Sequence, residues 1–159
     1  MKRAWGNPPH LAAWRATTSA ASTHCRWPYV TCNSAGRVSR LDLIAMNIIG
    51  TIPDAIDGLS SLAYLDVTYN NVTSVLPTVL YRCRSLQYID LSKNHIGGEL
   101  PNDIGHSLGA DLRVLDLSEN EFKGTIPVSL FKLQNLWCLD LRANNFVGGS
   151  ALFRWSSAF

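Results

Sequence analysis

One three-residue step, an aspartate between two apolar residues, recurs five times: Leu41-Asp42-Leu43, Leu65-Asp66-Val67, Ile89-Asp90-Leu91, Leu115-Asp116-Leu117 and Leu139-Asp140-Leu141. Successive copies lie 24 residues apart, except for the step from Ile89 to Leu115, which is 26. No single unit of that size buries enough apolar surface to fold alone. The repeat therefore selects a solenoid in which each unit is one strand plus a returning segment. The flanking apolar residues have period 2, so they share one face of a short strand and point inward. The aspartates lie on the other face, between two further outward columns. The residues before are Arg40, Tyr64, Tyr88, Val114 and Cys138, and those after are Ile44, Thr68, Ser92, Ser118 and Arg142.

Spelled out, the unit is L-x-x-L-x-L-x-x-N-x-L-x-G-x-I-P-x-x-L. The fourth copy supplies Leu112, Leu115, Leu117, Asn120, Phe122, Gly124, Ile126, Pro127 and Leu130. The Asn can donate to and accept from backbone where the chain leaves the strand. Gly relieves a crowded turn, and Pro fixes φ as the chain returns. Met46 replaces the Asn in the first copy, and the two extra residues fall at His106-Ser107-Leu108-Gly109-Ala110, predicting a longer convex loop. This unit is a leucine-rich repeat. The expected fold is α/β, a right-handed leucine-rich-repeat solenoid with parallel strands on the concave face and an N-terminal cap.

The expected organisation is a cap over residues 1–36, five repeats over 37–153 and an irregular tail over 154–159. The cap is predicted to begin with a short helical piece around Leu11-Ala12-Ala13-Trp14, followed by a polar loop over 17–22. The start Met1-Lys2-Arg3 has charges but no apolar core behind them, so it is not read as a signal peptide. A processed form or a start inside a longer protein accounts for it. The tail, with Phe153, Trp155 and Phe159, reads either as a truncated product or as a segment folding back over the last repeat.

At 159 residues and 47% apolar, the chain suits one domain. A net charge of +2 without any basic run gives no reason to invoke nucleic acid or an anionic membrane. No apolar stretch approaches the roughly 18 residues of a membrane span, so direct membrane insertion of this segment is not expected. The four cysteines allow three pairings. Cys25 and Cys32 bracket a short loop ahead of the first repeat, and closing it would contribute roughly 2–3 kcal/mol. That pairing implies an oxidising compartment. Cys83 and Cys138 read as inert thiols, and no second Cys/His pair stands at metal-ligand spacing.

Three motifs carry a closer resemblance: the cap Trp14…Cys25-x-Trp27-x-x-Val30-x-Cys32, the returns Gly50-Thr51-Ile52-Pro53 and Gly124-Thr125-Ile126-Pro127, and the Leu-Asp-Leu-Ser strands. With these, the chain resembles the N-terminal part of plant leucine-rich-repeat receptor-like kinase ectodomains. The stretches Pro77–Tyr81 and Leu86–Ser92 are similar to HAESA-like peptide-hormone receptors of grasses. The resemblance implies a non-catalytic recognition module without cofactor, in the apoplast or on the outer face of the plasma membrane. Its partner would be a secreted peptide or protein, either a co-receptor or a pathogen enzyme. Kinase motifs are missing from the sequence. A second class is the small secreted inhibitor of fungal polygalacturonases. A third, ice binding, needs a regular Thr or Asn array, whereas Thr51, Val75, Glu99 and Thr125 alternate in character.

Candidate ligand-binding residues are Tyr64, Asp66, Tyr88, Asp90, Lys93, Arg113, Asp116 and Trp137. Stacked tyrosines offer contact area at low entropic cost. The aspartates offer acceptors to a peptide backbone or to basic groups, although Leu-Asp-Leu is also the plain consensus strand. No catalytic residue is assigned: the histidines are scattered, and all five aspartates occupy equivalent sites, whereas acid-base work needs carboxyls in different environments. Asn71-Val72-Thr73 is the only sequon for N-glycosylation.

Overall fold

The computed structural model describes residues 1–15, 23–148 and 154–156. The loop expected over 17–22 lies outside them. In chain order the strands are β1 (Val30–Cys32), β2 (Val38–Asp42), β3 (Ile49–Gly50), β4 (Tyr64–Asp66), β5 (Asn71–Val75) and β6 (Tyr88–Asp90). They continue with β7 (His95–Glu99), β8 (Val114–Asp116), β9 (Glu121–Gly124), β10 (Cys138–Asp140), β11 (Asn145–Phe146) and β12 (Arg154–Ser156). The inner sheet runs β1-β2-β4-β6-β8-β10-β12 and the outer sheet β11-β9-β7-β5-β3.

From β2 to β10 the inner strands are parallel, and the five predicted segments lie side by side. Leu41, Leu65, Ile89, Leu115 and Leu139 form one row, and Asp42, Asp66, Asp90, Asp116 and Asp140 another. The leucine row is buried and belongs to one continuous core with Leu43, Leu91, Leu117 and Phe122. The two extra residues do not disturb this register. They are absorbed on the returning side, where Ile104–Ser107 forms one α turn while the other returns are 3-10 turns over Asp54–Gly58, Thr78–Arg82 and Val128–Lys132.

The repeat asparagines hold the coil together from inside. Asn94 Oδ1 accepts from Val72 N at 2.9 Å, and its amide donates to the carbonyls of Val67, Leu91 and Ser92 at 2.9, 3.1 and 3.0 Å. Asn120 repeats the pattern on Ile96 N and on the Leu91, Leu117 and Ser118 carbonyls. Asn144 does so on Phe122 N and on those of Leu117, Leu141 and Arg142. Each amide thus satisfies buried backbone groups of its own turn and of the turn before it, which otherwise would be lost at a cost of about 1–3 kcal/mol each. Met46 can lack the amide because its N–H, with that of Ile48, donates to Asn70 of the following repeat.

At the outer turn, Gly50, Gly98, Gly124 and Gly148 have φ between 77° and 94°. In the second repeat Ser74 takes this place, with φ of 100°. A side chain there is strained.

The cap differs from the expected helical piece at Leu11–Trp14. The described turns are 3-10, at Lys2–Trp5, Pro9–Leu11 and Thr23–Arg26. Where that piece is expected, one 3-10 turn at Pro9–Leu11 runs on into Ala12, and the Ala12 and Trp14 N–H groups donate to the Pro9 and Leu11 carbonyls, three residues back rather than four. The packing of the cap is aromatic: Trp14 stacks on Trp27 with ring centroids 5.5 Å apart and tilts against buried Trp5 at 6.3 Å. Trp14 Nε1 also donates to the Pro28 carbonyl at 2.9 Å. The Cys25–Cys32 disulfide is formed, with Cα atoms 5.5 Å apart, and β1 lies antiparallel on β2. Cys83 is a buried thiol facing the Ile56 carbonyl, and Cys138 is half-buried and outside the disulfide. At the other end, β12 folds back antiparallel on β10.

Two substitutions test this construction. Asn94→Ala is expected to destabilise by about 3 kcal/mol, read as a drop in the denaturation midpoint, because it orphans buried backbone groups of two repeats. Ser74→Gly is expected to stabilise by about 1 kcal/mol in the same assay, by releasing the left-handed strain.

Candidate recognition surface on the inner sheet

Strand alternation turns three residues per rung onto the inner face, and the aspartate is the middle one. Its first task is local. Oδ1 of Asp66, Asp90, Asp116 and Asp140 accepts the backbone N–H two residues on, from Thr68, Ser92, Ser118 and Arg142, at 2.9–3.1 Å. Each carboxylate thereby caps the bend where its strand ends, the Asx-type role of a short acidic side chain. This accounts for the aspartate in four of the five copies, and on those rungs it leaves the second oxygen to distinguish them.

The second oxygens differ. At one end Arg40 forms a fork on Asp42, Nε to Oδ2 at 2.6 Å and Nη2 to Oδ1 at 2.7 Å. At the other, Arg142 folds over Asp140, with Nη2 to Oδ2 at 2.7 Å. In between, the Tyr64 and Tyr88 hydroxyls donate to Oδ2 of Asp66 and Asp90 at 3.2 and 3.3 Å. Ser118 Oγ donates to the same Oδ1 of Asp116 that its own N–H uses, and among the described residues Oδ2 of Asp116 has no hydrogen bond.

The tyrosines build the relief. Tyr64 and Tyr88 stack with centroids 4.1 Å apart and planes 10° from parallel. The Arg40 guanidinium closes the near end of the stack, 3.4 Å from the Tyr64 centroid. Burial pushes both phenols above their ordinary value, as it does the carboxyls of Asp66 and Asp116. Five aspartates against two arginines leave this strip a surplus of negative charge on a chain whose net charge is +2.

Of the residues singled out in the sequence, Tyr64, Asp66, Tyr88, Asp90 and Asp116 are therefore neighbours in one patch. The other three are not among them. Arg113 and Trp137 precede β8 and β10, on the border where the strands begin, and both are exposed. Lys93 follows β6 on the opposite border. There it pairs with Glu119 at 3.7 Å and faces a lateral groove with Tyr69, Asn71 and His95. The guanidinium stacked on Tyr64 was not anticipated; its signal was an Arg in the column that carries the two tyrosines. Asn71 is exposed in the outer sheet and donates to Asn47 Oδ1 at 2.9 Å. Among the described residues one group stands at metal-ligand spacing, His24 with Cys25 and Cys32, but its two sulfurs are spent in the disulfide. No helix is long and apolar enough to cross a membrane among the described residues.

A register-true inner sheet, an asparagine ladder and a disulfide-closed aromatic cap define a leucine-rich-repeat solenoid of the plant type. Leucine rich repeat family profiles match residues 37–96 and 111–133, and the leucine rich repeat N-terminal domain matches residues 1–33. A chain of the BIR3–SERK2 complex from Arabidopsis thaliana superposes with a TM-score of 0.82 at 30% identity, over 92% of this chain and 81% of that one. The ectodomain of the receptor kinase SOBIR1 from Arabidopsis thaliana does so with a TM-score of 0.70 at 32% identity, over 80% and 75%. The complex of the Arabidopsis receptor kinase HAESA with the peptide hormone IDA and the co-receptor SERK1 gives a TM-score of 0.79 at 27%, over 87% and 23%. Among curated proteins, the chain is 50% identical over 52 residues to MDIS1-interacting receptor like kinase 1 of Arabidopsis thaliana. The match covers 33% of this chain and 5% of that protein. It is 36% identical over 66 residues to polygalacturonase inhibitor 1 of Oryza sativa subsp. japonica, covering 41% and 19%. The chain belongs to the leucine-rich-repeat family, among the ectodomains of plant receptor kinases.

The raised carboxyl of Asp116 has a sign that can be checked. Its folded-state value lies above the ordinary 3.8, so protonation favours the fold: that contribution is full below about pH 3.8 and is lost as pH rises through the folded value. Asp116→Asn retains an oxygen for the Ser118 N–H and removes the charge. The variant is expected to melt above the wild type at pH 7, and the gap is expected to close below about pH 4 in a thermal series.

Proposed function

We propose that this chain is a non-catalytic extracellular recognition module whose inner sheet binds a secreted peptide or the ectodomain of a partner receptor. The observation that carries the reading is the patch of Tyr64 and Tyr88 with Asp66, Asp90 and Asp116. It offers two aromatic side chains and a row of acceptors on a backbone held rigid from behind. Amphipathic aromatics on a pre-organised surface give contact area at little entropic cost, the usual make-up of binding hot spots. The similarity to a chain of the BIR3–SERK2 complex and to HAESA with IDA and SERK1 supports a peptide or co-receptor as partner. In this reading the chain is the N-terminal part of a longer ectodomain, no cofactor takes part, and a glycan on exposed Asn71 lies on the outer sheet, clear of the inner strip.

The similarity to polygalacturonase inhibitor 1 favours a second reading, inhibition of a pectin-cleaving enzyme by the same face. The fold is also similar to that of a plant ice-binding protein, with a TM-score of 0.81 at 26% identity over 91% of this chain and 46% of that one, but the surface chemistry does not favour an ice-binding reading. The column Thr51, Val75, Glu99 and Thr125 is chemically mixed, and it begins beside turns rather than on a flat array.

Calorimetric titration of the soluble chain with the SERK2 ectodomain is expected to show saturable binding that weakens about tenfold in Tyr88→Ala, with the variant's folding verified by its melting curve. Equal affinity in a folded variant removes the inner patch from the interface. The same preparation is expected to leave fungal polygalacturonase activity unchanged; inhibition would transfer the proposal to the second reading.

A further inference from the structure

The inner strip contains one occupied cation site, and it has an unfilled counterpart. In the occupied site the guanidinium of Arg40 lies against the outer face of the tyrosine pair and binds the aspartate of its own rung. It sits 3.4 Å from the Tyr64 centroid and 2.6 and 2.7 Å from the two Asp42 oxygens. The register makes this repeatable: Arg40 is aligned with Tyr64 as Val114 is with Tyr88, and Asp116 occupies on rung 114 the place that Asp42 has on rung 40.

What differs is the side chain. Val114 ends at its γ-methyls and is itself nearly covered, so it cannot span the ring of Tyr88 as Arg40 spans that of Tyr64. The far face of Tyr88 has no second ring or cation stacked on it among the described residues. By the register, Asp116 stands on the rung that follows Tyr88, aligned with Asp90, and among the described residues its Oδ2 is an acceptor without a donor. Arginines pair with the aspartates at both ends of the row, whereas among the described residues none forms an ion pair with the three in the middle, and Arg142 acts on Asp116 only through space. Rungs are about 4.8 Å apart, so a cation at this level would lie between two carboxylates.

We propose that the notch bounded by Tyr88, Val114 and Asp116 receives an arginine side chain of a bound polypeptide, which stacks on Tyr88 and donates to Asp116 Oδ2. The inference rests on the inner sheet being the binding face and names the chemistry that one position on it selects. Arginine is favoured over lysine because a planar guanidinium stacks on an aromatic face and donates sideways at once, as Arg40 does within the molecule. The copy is not complete. Asp42 gives Arg40 both oxygens, while Asp116 has one to give, the other being held by Ser118. The contact is therefore a single charge-assisted hydrogen bond plus stacking, and a short peptide binds weakly.

The probe is the tripeptide acetyl-Gly-Arg-Gly-amide, titrated into the full chain while the Tyr88 ring resonances are followed by NMR, with the citrulline analogue as an isosteric neutral control. Saturable shifts of Tyr88 are expected for the arginine peptide and not for citrulline, with affinity about tenfold weaker in Asp116→Asn. Val114→Arg, which fills the notch from within, is expected to abolish the response. Equal shifts with citrulline, an unchanged affinity in Asp116→Asn, or no shift at all would each overturn the proposal. If Val114→Arg fails to fold, the citrulline and Asp116→Asn comparisons decide alone. Loss of the notch leaves the wider reading standing as long as Tyr88→Ala weakens SERK2 binding, so the two failures are separable.

Discussion

The asparagine amide inside each turn is the interaction on which the rest of the molecule depends. A parallel strand only three residues long cannot specify its own position, and its chain must reverse direction at once into a return of a different geometry. Asn70, Asn94, Asn120 and Asn144 resolve this by bonding to backbone on two successive turns. Vertical position is thus set by directed hydrogen bonds, while the leucine rows supply non-directional stabilisation. An insertion can then be accommodated wherever it leaves those bonds alone. The two residues at His106–Ala110 do so by converting a 3-10 return into an α turn.

With the backbone fixed from behind, the outward residues are free to vary, and the aspartates show how far that freedom goes. One oxygen is committed to the bend in four of the five rungs. Only the other can carry specificity, and its partner changes along the coil from arginine to tyrosine to none to arginine again. The binding reading thus draws on the repeated aspartate only through that second oxygen. It rests on the residues that break the repetition, Tyr64 and Tyr88 on one side and Val114 on the other.

Much of this was legible from the chain alone, because period and alternation are properties of spacing. The strand registers, the inward leucines and the asparagine role follow from where residues recur, and the Cys25–Cys32 bridge from two cysteines that bracket a short loop. The cap was read less well. The sequence suggests a helical piece around Leu11–Trp14, whereas the structure winds a single 3-10 turn at Pro9–Leu11. Side-chain encounters were the least accessible. That Arg40 would lie on Tyr64 depends on rotamers, which a one-dimensional pattern does not contain. Ser74 was missed for a related reason: the residue was visible, but its left-handed conformation was not.

Both outermost strands of the inner sheet, β1 and β12, run against the direction of those they flank. A strand has only one row of amides and carbonyls on each side. On β10 that row is engaged by Arg154–Ser156, and the next rung of a lengthening coil would need the same row. Backbone pairing by this short segment and continuation of the coil past β10 are therefore mutually exclusive. One hydrogen-bonding ledge admits a single tenant, and which of the two holds it determines whether the coil is closed or open at that end.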